Sequence, residues 1–207
     1  MKTQLFTTLF WGSLLFLVSC SNNSDYQPFV PSLPPITQSG ANTFGCYIDG
    51  VLLTPRDGTG GLLYGTPKGM KTIASGIGPN YDYNEIRIQD YKGGTGGILK
   101  IHLIERHENG EGTFTIKESN CEDGIDASPS LNIHCRIIDK ASQTYKWYCS
   151  VENAGTLRIT RYDLDNRILS GTFSCTMQNR DHPNERIEIT QGRFDIKWDT
   201  LDETDFP

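Results

Sequence analysis

The chain has 207 residues, with 19 Lys and Arg against 25 Asp and Glu, for a formal net charge of −6. That mildly acidic balance, with no basic block anywhere, argues against a nucleic-acid partner and against a polybasic grip on anionic lipid. Twenty-one glycines and short runs of β-branched and aromatic residues point to an all-β domain.

The first predicted element is a lipoprotein signal peptide over residues 1–19. Lys2 supplies the positive start, residues 5–18 (LFTTLFWGSLLFLV) are uncharged and apolar, and Leu17-Val18-Ser19-Cys20 reads as a lipobox. The apolar run is short for a transmembrane helix, and no second one follows. Cleavage before Cys20 would leave its sulfur to carry a diacylglycerol and its new amino group to be acylated. Each buried CH₂ contributes about 0.8 kcal/mol, and two or more chains anchor stably where one is marginal. The expected location is the bacterial cell envelope, lipid-anchored in the outer membrane, with periplasmic and surface-facing orientations both open. An ordinary secretory signal, cut elsewhere, is the alternative. Cleavage removes Lys2 and no acid, leaving 18 basic against 25 acidic residues, a net charge near −7.

Residues 20–39 read as the lipidated cysteine and a flexible Ser/Asn/Pro tether, with Pro28, Pro31, Pro34 and Pro35 favouring an extended chain. Residues 40–207 suffice for one domain with its own core. Its clearest local signal is Asp49-Gly50, a dipeptide suited to a type I′ hairpin because both turn residues need positive φ. That turn sets Ile48 opposite Val51 and Cys46 opposite Leu53. Residues 58–69 are glycine-rich and read as a loop. Further strands are predicted over 72–76, 85–91, 98–105, 113–117, 131–138, 144–151, 156–163, 168–176 and 185–198. No stretch carries a 3.6-residue apolar period, so almost no helix is expected outside the signal peptide. Short connections make most neighbours antiparallel hairpins, giving a single antiparallel β-sandwich or open barrel.

Two register questions follow from alternation. Leu131, Ile133, Cys135 and Ile137 share one face, as do Tyr145, Trp147, Cys149 and Val151. A loop with an odd number of residues sets Ile137 against Trp147 and Cys135 directly opposite Cys149. One more residue would set Ile137 against Lys146 and mix the faces, so the odd loop is expected. In the last strand Ile187 and Ile189 are odd-numbered, whereas Phe194, Ile196 and Trp198 are even. Either a bulge at Gln191-Gly192 keeps them on one face or that dipeptide is itself a turn.

With Cys20 lipidated, Cys46, Cys121, Cys135, Cys149 and Cys175 remain, an odd number that forbids complete pairing. An envelope location permits disulfides, and Cys135 with Cys149 is the candidate bridge. The alternative is two small buried apolar residues that merely touch. Cys46 and Cys175 read as core thiols, and Cys121 lies in a polar loop.

Signatures of catalysis are missing: no GxSxG, HExxH, GxxxxGK[ST] or GxGxxG occurs. His102 and His134 fall at outward strand positions and His107 and His182 in loops, so all four read as solvated. No CxxC or HxxxH spacing supports zinc, and acidic loops near 108–111, 122–126 and 163–166 read as turns rather than calcium loops. No metal, cofactor or catalytic residue is therefore expected. Tyr81, Tyr83, Tyr91, Tyr148 and Tyr162 fall in loops or outward positions. Tyr81 and Tyr83 are the candidate ligand-facing aromatics, since tyrosines on a sheet stack on sugar rings or line interfaces.

Joined together, these pieces carry a resemblance. The lipobox, the tether, residues 33–46 (LPPITQSGANTFGC), the Asp49-Gly50 hairpin, and 155–160 (GTLRIT), 168–174 (ILSGTFS) and 189–195 (ITQGRFD) resemble the uncharacterised lipid-anchored β-proteins of Bacteroidetes envelopes, a domain-of-unknown-function family. Similarity is strongest over 33–53 and 155–198. The resemblance implies the fold and the anchor and brings no activity, because its motifs are turns and strands. Asp25 is a thin version of the acidic patch associated with surface display in such bacteria. The expected function is a non-catalytic, lipid-anchored envelope protein that binds a glycan, small ligand or protein. The alternatives are a structural or accessory subunit of an envelope complex, and a hydrolase, which needs a cleft that nothing in the spacing shows.

Overall fold

In a computed structural model, the described residues are 29–61, 65–76, 82–93, 97–104, 110–139 and 141–207. Cys20 and Tyr81 lie outside them. The fold is all-β: the described residues form ten strands, a 3₁₀ turn and one short α-helix. The strands are β1 (Thr43–Ile48), β2 (Val51–Leu53), β3 (Met70–Gly76), β4 (Asp82–Gln89), β5 (Ile98–Ile104), β6 (Gly112–Ile116), β7 (Asn132–Asp139), β8 (Thr144–Asp163), β9 (Ile168–Asn179) and β10 (Arg186–Lys197). The helix, α1 (Trp198–Leu201), follows directly. All strand pairs are antiparallel, in the order β2-β1-β10-β9-β8-β7-β5-β4-β3, with β6 added beside β8. The sheet curls into a half-barrel.

The Asp49-Gly50 turn forms as its chemistry demands, with φ of 48° and 77°, and sets Ile48 opposite Val51 and Cys46 opposite Leu53. Alternation then fills the concave face. One directly paired row, Met70, Ile88, Leu99, Cys135 and Tyr148, crosses β3, β4, β5, β7 and β8, and every member is buried. A second row, Phe44, Phe194, Gly171 and Ile159, crosses β1, β10, β9 and β8. Gly171 is required there, because a Cβ would stand 2.6 Å from the Phe194 ring. Cys46 and Cys175 are buried free thiols in this core.

Two strands depart from strict alternation. The predicted strands 144–151 and 156–163 fuse into β8, whose pairing with β9 slips between Ser150 and Gly155. Asn153 sits in the slip with φ of 55°, a conformation its short polar side chain tolerates. In β10, Ile189 pairs with Cys175 and Gly192 with Phe173, and Gln191 takes a φ of 53°. Gln191-Gly192 is thus a bulge within one strand, not a turn. It brings Ile187, Ile189, Phe194 and Ile196 into one core, while Trp198 opens α1.

The convex face is not left to solvent throughout. Residues 37–41 cross it at β10, where Asp195 is only 1% exposed. Its carboxylate accepts hydrogen bonds from Thr37 Oγ1 (2.7 Å), Ser39 N (3.0 Å), Gly40 N (2.8 Å), Ala41 N (3.1 Å) and Ser170 Oγ (2.7 Å). Burial pushes this carboxyl up, but the donors outweigh it and hold it below the ordinary range. At one end of the half-barrel, Arg56 clasps Asp90 through two bonds of 2.6 and 2.7 Å, and Phe206 N donates to the neighbouring Asp57 at 3.2 Å.

Replacing Asp195 with Ala is expected to cost about 3 kcal/mol or more, because several buried donors lose a charged acceptor. A carboxyl whose native pKa lies below its unfolded value of about 3.9 contributes stability above that pH and loses it as acid titrates the native group. Denaturant unfolding at neutral and acidic pH should therefore show stability falling below about pH 4. The Asp195→Asn variant should be less stable at neutral pH and less acid-sensitive.

Candidate functional site

The covered part of the convex face holds a polar cluster. Alternation turns Glu85 and Arg87 of β4, Lys100 and His102 of β5, Asn132 and His134 of β7, and Cys149 of β8 away from the core. Register arranges them in two rows, Glu85–His102–Asn132 and Arg87–Lys100–His134–Cys149. The loop 117–131 folds over both rows. It is held by a Cys121–Cys149 disulfide, with Cα atoms 5.4 Å apart, and by Ser119 N donating to Ser150 O at 2.9 Å. Asn120 shapes its turn, accepting from Ser128 N and donating to Asp126 O. Beneath it His102 is 0% and His134 1% exposed, and Glu85, Lys100 and Asn132 are buried too.

Asp123, carried on the loop, closes the cluster. Its side chain is 45% exposed, so the cluster opens to solvent on that side. Lys100 Nζ donates to Asp123 Oδ2, and His134 Nε2 lies 3.2 Å from Oδ1. The His134 ring, followed by the Lys100 ammonium, holds the Asp123 carboxyl far below the usual range despite partial burial. The His102 and His134 rings stand 5.0 Å apart. His102 Nδ1 faces Glu85 Oε2 at 3.9 Å, and Arg87 Nε holds Glu85 Oε1 at 2.8 Å. Burial, reinforced by His134, pushes His102 down to about 4, so its imidazole is neutral at physiological pH. One donor atom from each of His102, Asp123 and His134 lies within 4.8 Å of the others.

A second feature is a groove of about 290 Å³ at the mouth of the half-barrel, between the β1–β2 hairpin and β7–β8. Ile48, Val51, Leu53 and Ile137 give it apolar walls, and Tyr148, Lys146 and Glu185 give it a polar end. Glu185 accepts from Lys146 Nζ (2.9 Å), Asn179 Nδ2 (2.9 Å) and the Tyr148 hydroxyl. Burial and then the Glu185 carboxylate push the Tyr148 phenol well above its ordinary value. Tyr148 is therefore a fixed hydrogen-bond donor.

Several sequence expectations are corrected here. Cys135 does not face Cys149; it pairs with Tyr148 and is a buried free thiol, and Cys149 bonds to Cys121 instead. Asp139 pairs with Thr144, so the loop has an even number of residues and Ile137 faces Lys146. The odd-loop argument assumes one solvated face. Here both faces of β8 are covered, Tyr148 filling the core and Cys149 the space under the loop, so mixed parity carries little penalty. His102 and His134 do point outward, as expected, but are buried rather than solvated. Tyr148 points inward. Tyr83 lies in β4, paired with Ser75 and Ile104, and Tyr81 is outside the described residues. Tyr91 is exposed, and Tyr162 packs edge-on against Trp198.

No spacing motif marks the polar cluster, because its members come from β4, β5, β7 and a loop. Comparison with protein-family models, curated proteins and solved structures finds no match.

Proposed function

We propose that the chain is a lipid-anchored protein of the bacterial cell envelope, held in the outer membrane through Cys20. Its half-barrel is a non-catalytic module that binds a small ligand in the groove at its mouth. The anchor reading rests on the lipobox and agrees with the resemblance to Bacteroidetes lipoproteins. The binding reading rests on one observation, an open groove with apolar walls that ends in a tyrosine hydroxyl, a lysine and a carboxylate. Such a lining suits a ligand with an apolar body and a polar end, a lipid fragment or a glycan with an apolar ring face.

The Tyr148–Glu185–Lys146 network is internally hydrogen-bonded, which pre-orders the polar end of the groove and limits the ordering cost of binding. Val51, on the three-residue edge strand β2, is 46% exposed and forms the outer lip. Its exposure makes it the wall residue whose replacement disturbs the core least.

Two measurements test this reading. In cells, Cys20→Ala is expected to move the full chain out of the membrane fraction; retention there would reject the lipobox reading. In detergent, a thermal-shift screen of the full chain against fatty acids, lysolipids and oligosaccharides should give one class that raises the melting temperature. A ligand at 100 times its Kd stabilises by about 2.7 kcal/mol. The shift should vanish in Val51→Arg while that variant's own melting temperature stays near wild type. A flat screen, with a defined envelope protein co-purifying instead, would replace this reading with an accessory-subunit role.

A further inference from the structure

We propose that His102, Asp123 and His134 bind one divalent transition-metal ion of the zinc class between the sheet and the loop 117–131. The observation that carries it is the convergence of three donor atoms from three separate elements within 4.8 Å of one another. Four-coordinate zinc holds N and O donors at about 2.0–2.2 Å, which puts the donors about 3.4 Å apart. His134 Nε2 and Asp123 Oδ1 already stand at 3.2 Å. The remaining closure, at most about 1.4 Å, is on the His102 side, within reach of small side-chain rotations.

The chemistry of the set matches. Two imidazoles and a carboxylate suit a borderline first-row ion, not calcium or magnesium, which take oxygen donors. His134 is 1% exposed, and neither of its ring nitrogens makes a well-directed hydrogen bond; Nε2 meets Asp123 off-axis. Buried polar atoms in that state call for a partner, and a cation beside Nε2 supplies one.

The surroundings have the pattern of an outer shell. Glu85, itself fixed by Arg87, faces His102 Nδ1, as a carboxylate does behind a metal-bound histidine. That arrangement assigns His102 Nε2 to the metal. Lys100 takes Asp123 Oδ2 and leaves Oδ1 turned toward His134. Its positive charge opposes the ion and limits affinity. The exposed side of Asp123 gives the ion access and leaves a fourth position for water. The Cys121–Cys149 bond keeps the loop ligand near the sheet when no metal is bound.

The test uses the full chain in detergent, stripped with chelator and titrated with Zn²⁺ by calorimetry and with Co²⁺ by visible absorption. One equivalent is expected to bind. Co²⁺ should give the strong d–d bands of low coordination number without a thiolate charge-transfer band, which separates this site from the buried cysteines. His134→Gln and Asp123→Asn should each weaken Zn²⁺ by about 100-fold or more, and Glu85→Gln by about 10- to 100-fold. His182→Gln, in an exposed turn, should leave affinity unchanged, and Lys100→Gln should raise it. Circular dichroism and the metal-free melting temperature of each variant establish that it folds. The proposal is overturned if folded wild-type protein takes up neither ion. It is equally overturned by a thiolate band, or by affinity that survives in folded His134→Gln and Asp123→Asn.

Discussion

The disulfide between Cys121 and Cys149 fixes a fifteen-residue excursion against a face of the sheet that would otherwise be wet, and the polar cluster depends on it. A half-barrel needs only its concave face to fold, and the rows through Cys135 and Phe194 fill that face with apolar side chains. What lies on the convex face is a matter of cover. Without the loop, His102, His134, Lys100 and Glu85 would be solvated strand residues of no particular consequence. With it, they are buried and mutually close, and burial holds the His102 imidazole neutral. Desolvation of so many polar groups is costly, and charge pairing offsets it: Lys100 on Asp123, Arg87 on Glu85.

The same device recurs on the same face, over β10, with a different clasp. There the segment 37–41 crosses β10, and a single carboxylate, Asp195, gathers the segment's amides and hydroxyls. Leu33 and Pro34 pack where a side chain at Gly45 would otherwise project, the Pro34 ring reaching 2.5 Å from that missing Cβ. One cover is covalent and the other is hydrogen-bonded. Together they explain how a sheet with a polar outer face carries buried carboxylates and histidines. The segment that the sequence presents as a tether is thus part of the domain's own stability from Thr37 onward.

Most of the architecture is legible in the sequence because it follows from local chemistry. Asp49-Gly50 dictates its turn, and the phase change between Ile189 and Phe194 demands an irregularity at Gln191-Gly192. Strand positions follow from β-branched and aromatic runs, with the boundary between 151 and 156 the main miss, since the slip at Asn153 keeps β8 continuous. The polar cluster is not legible, for a reason of physics. Parity arguments rank registers by how well they separate a dry face from a wet one, and loop 117–131 makes the wet face dry. Cys121 is 28 residues from its partner, with a 3₁₀ turn (Gly124–Asp126) and β7 between them. No local spacing signals that pairing. A buried histidine and a solvated one look the same in a strand of alternating residues until the cover is known.

The account stands on β7–β8 register, since that register puts His134 beside Cys149 and under the loop. Peptide mapping of the native protein under non-reducing conditions tests it most directly. The expected result is a single linked pair, Cys121 with Cys149, while Cys46, Cys135 and Cys175 become alkylatable only on unfolding. A Cys135–Cys149 link would instead restore the odd-loop register, turn Cys149 to the core and leave the two histidines in solvent.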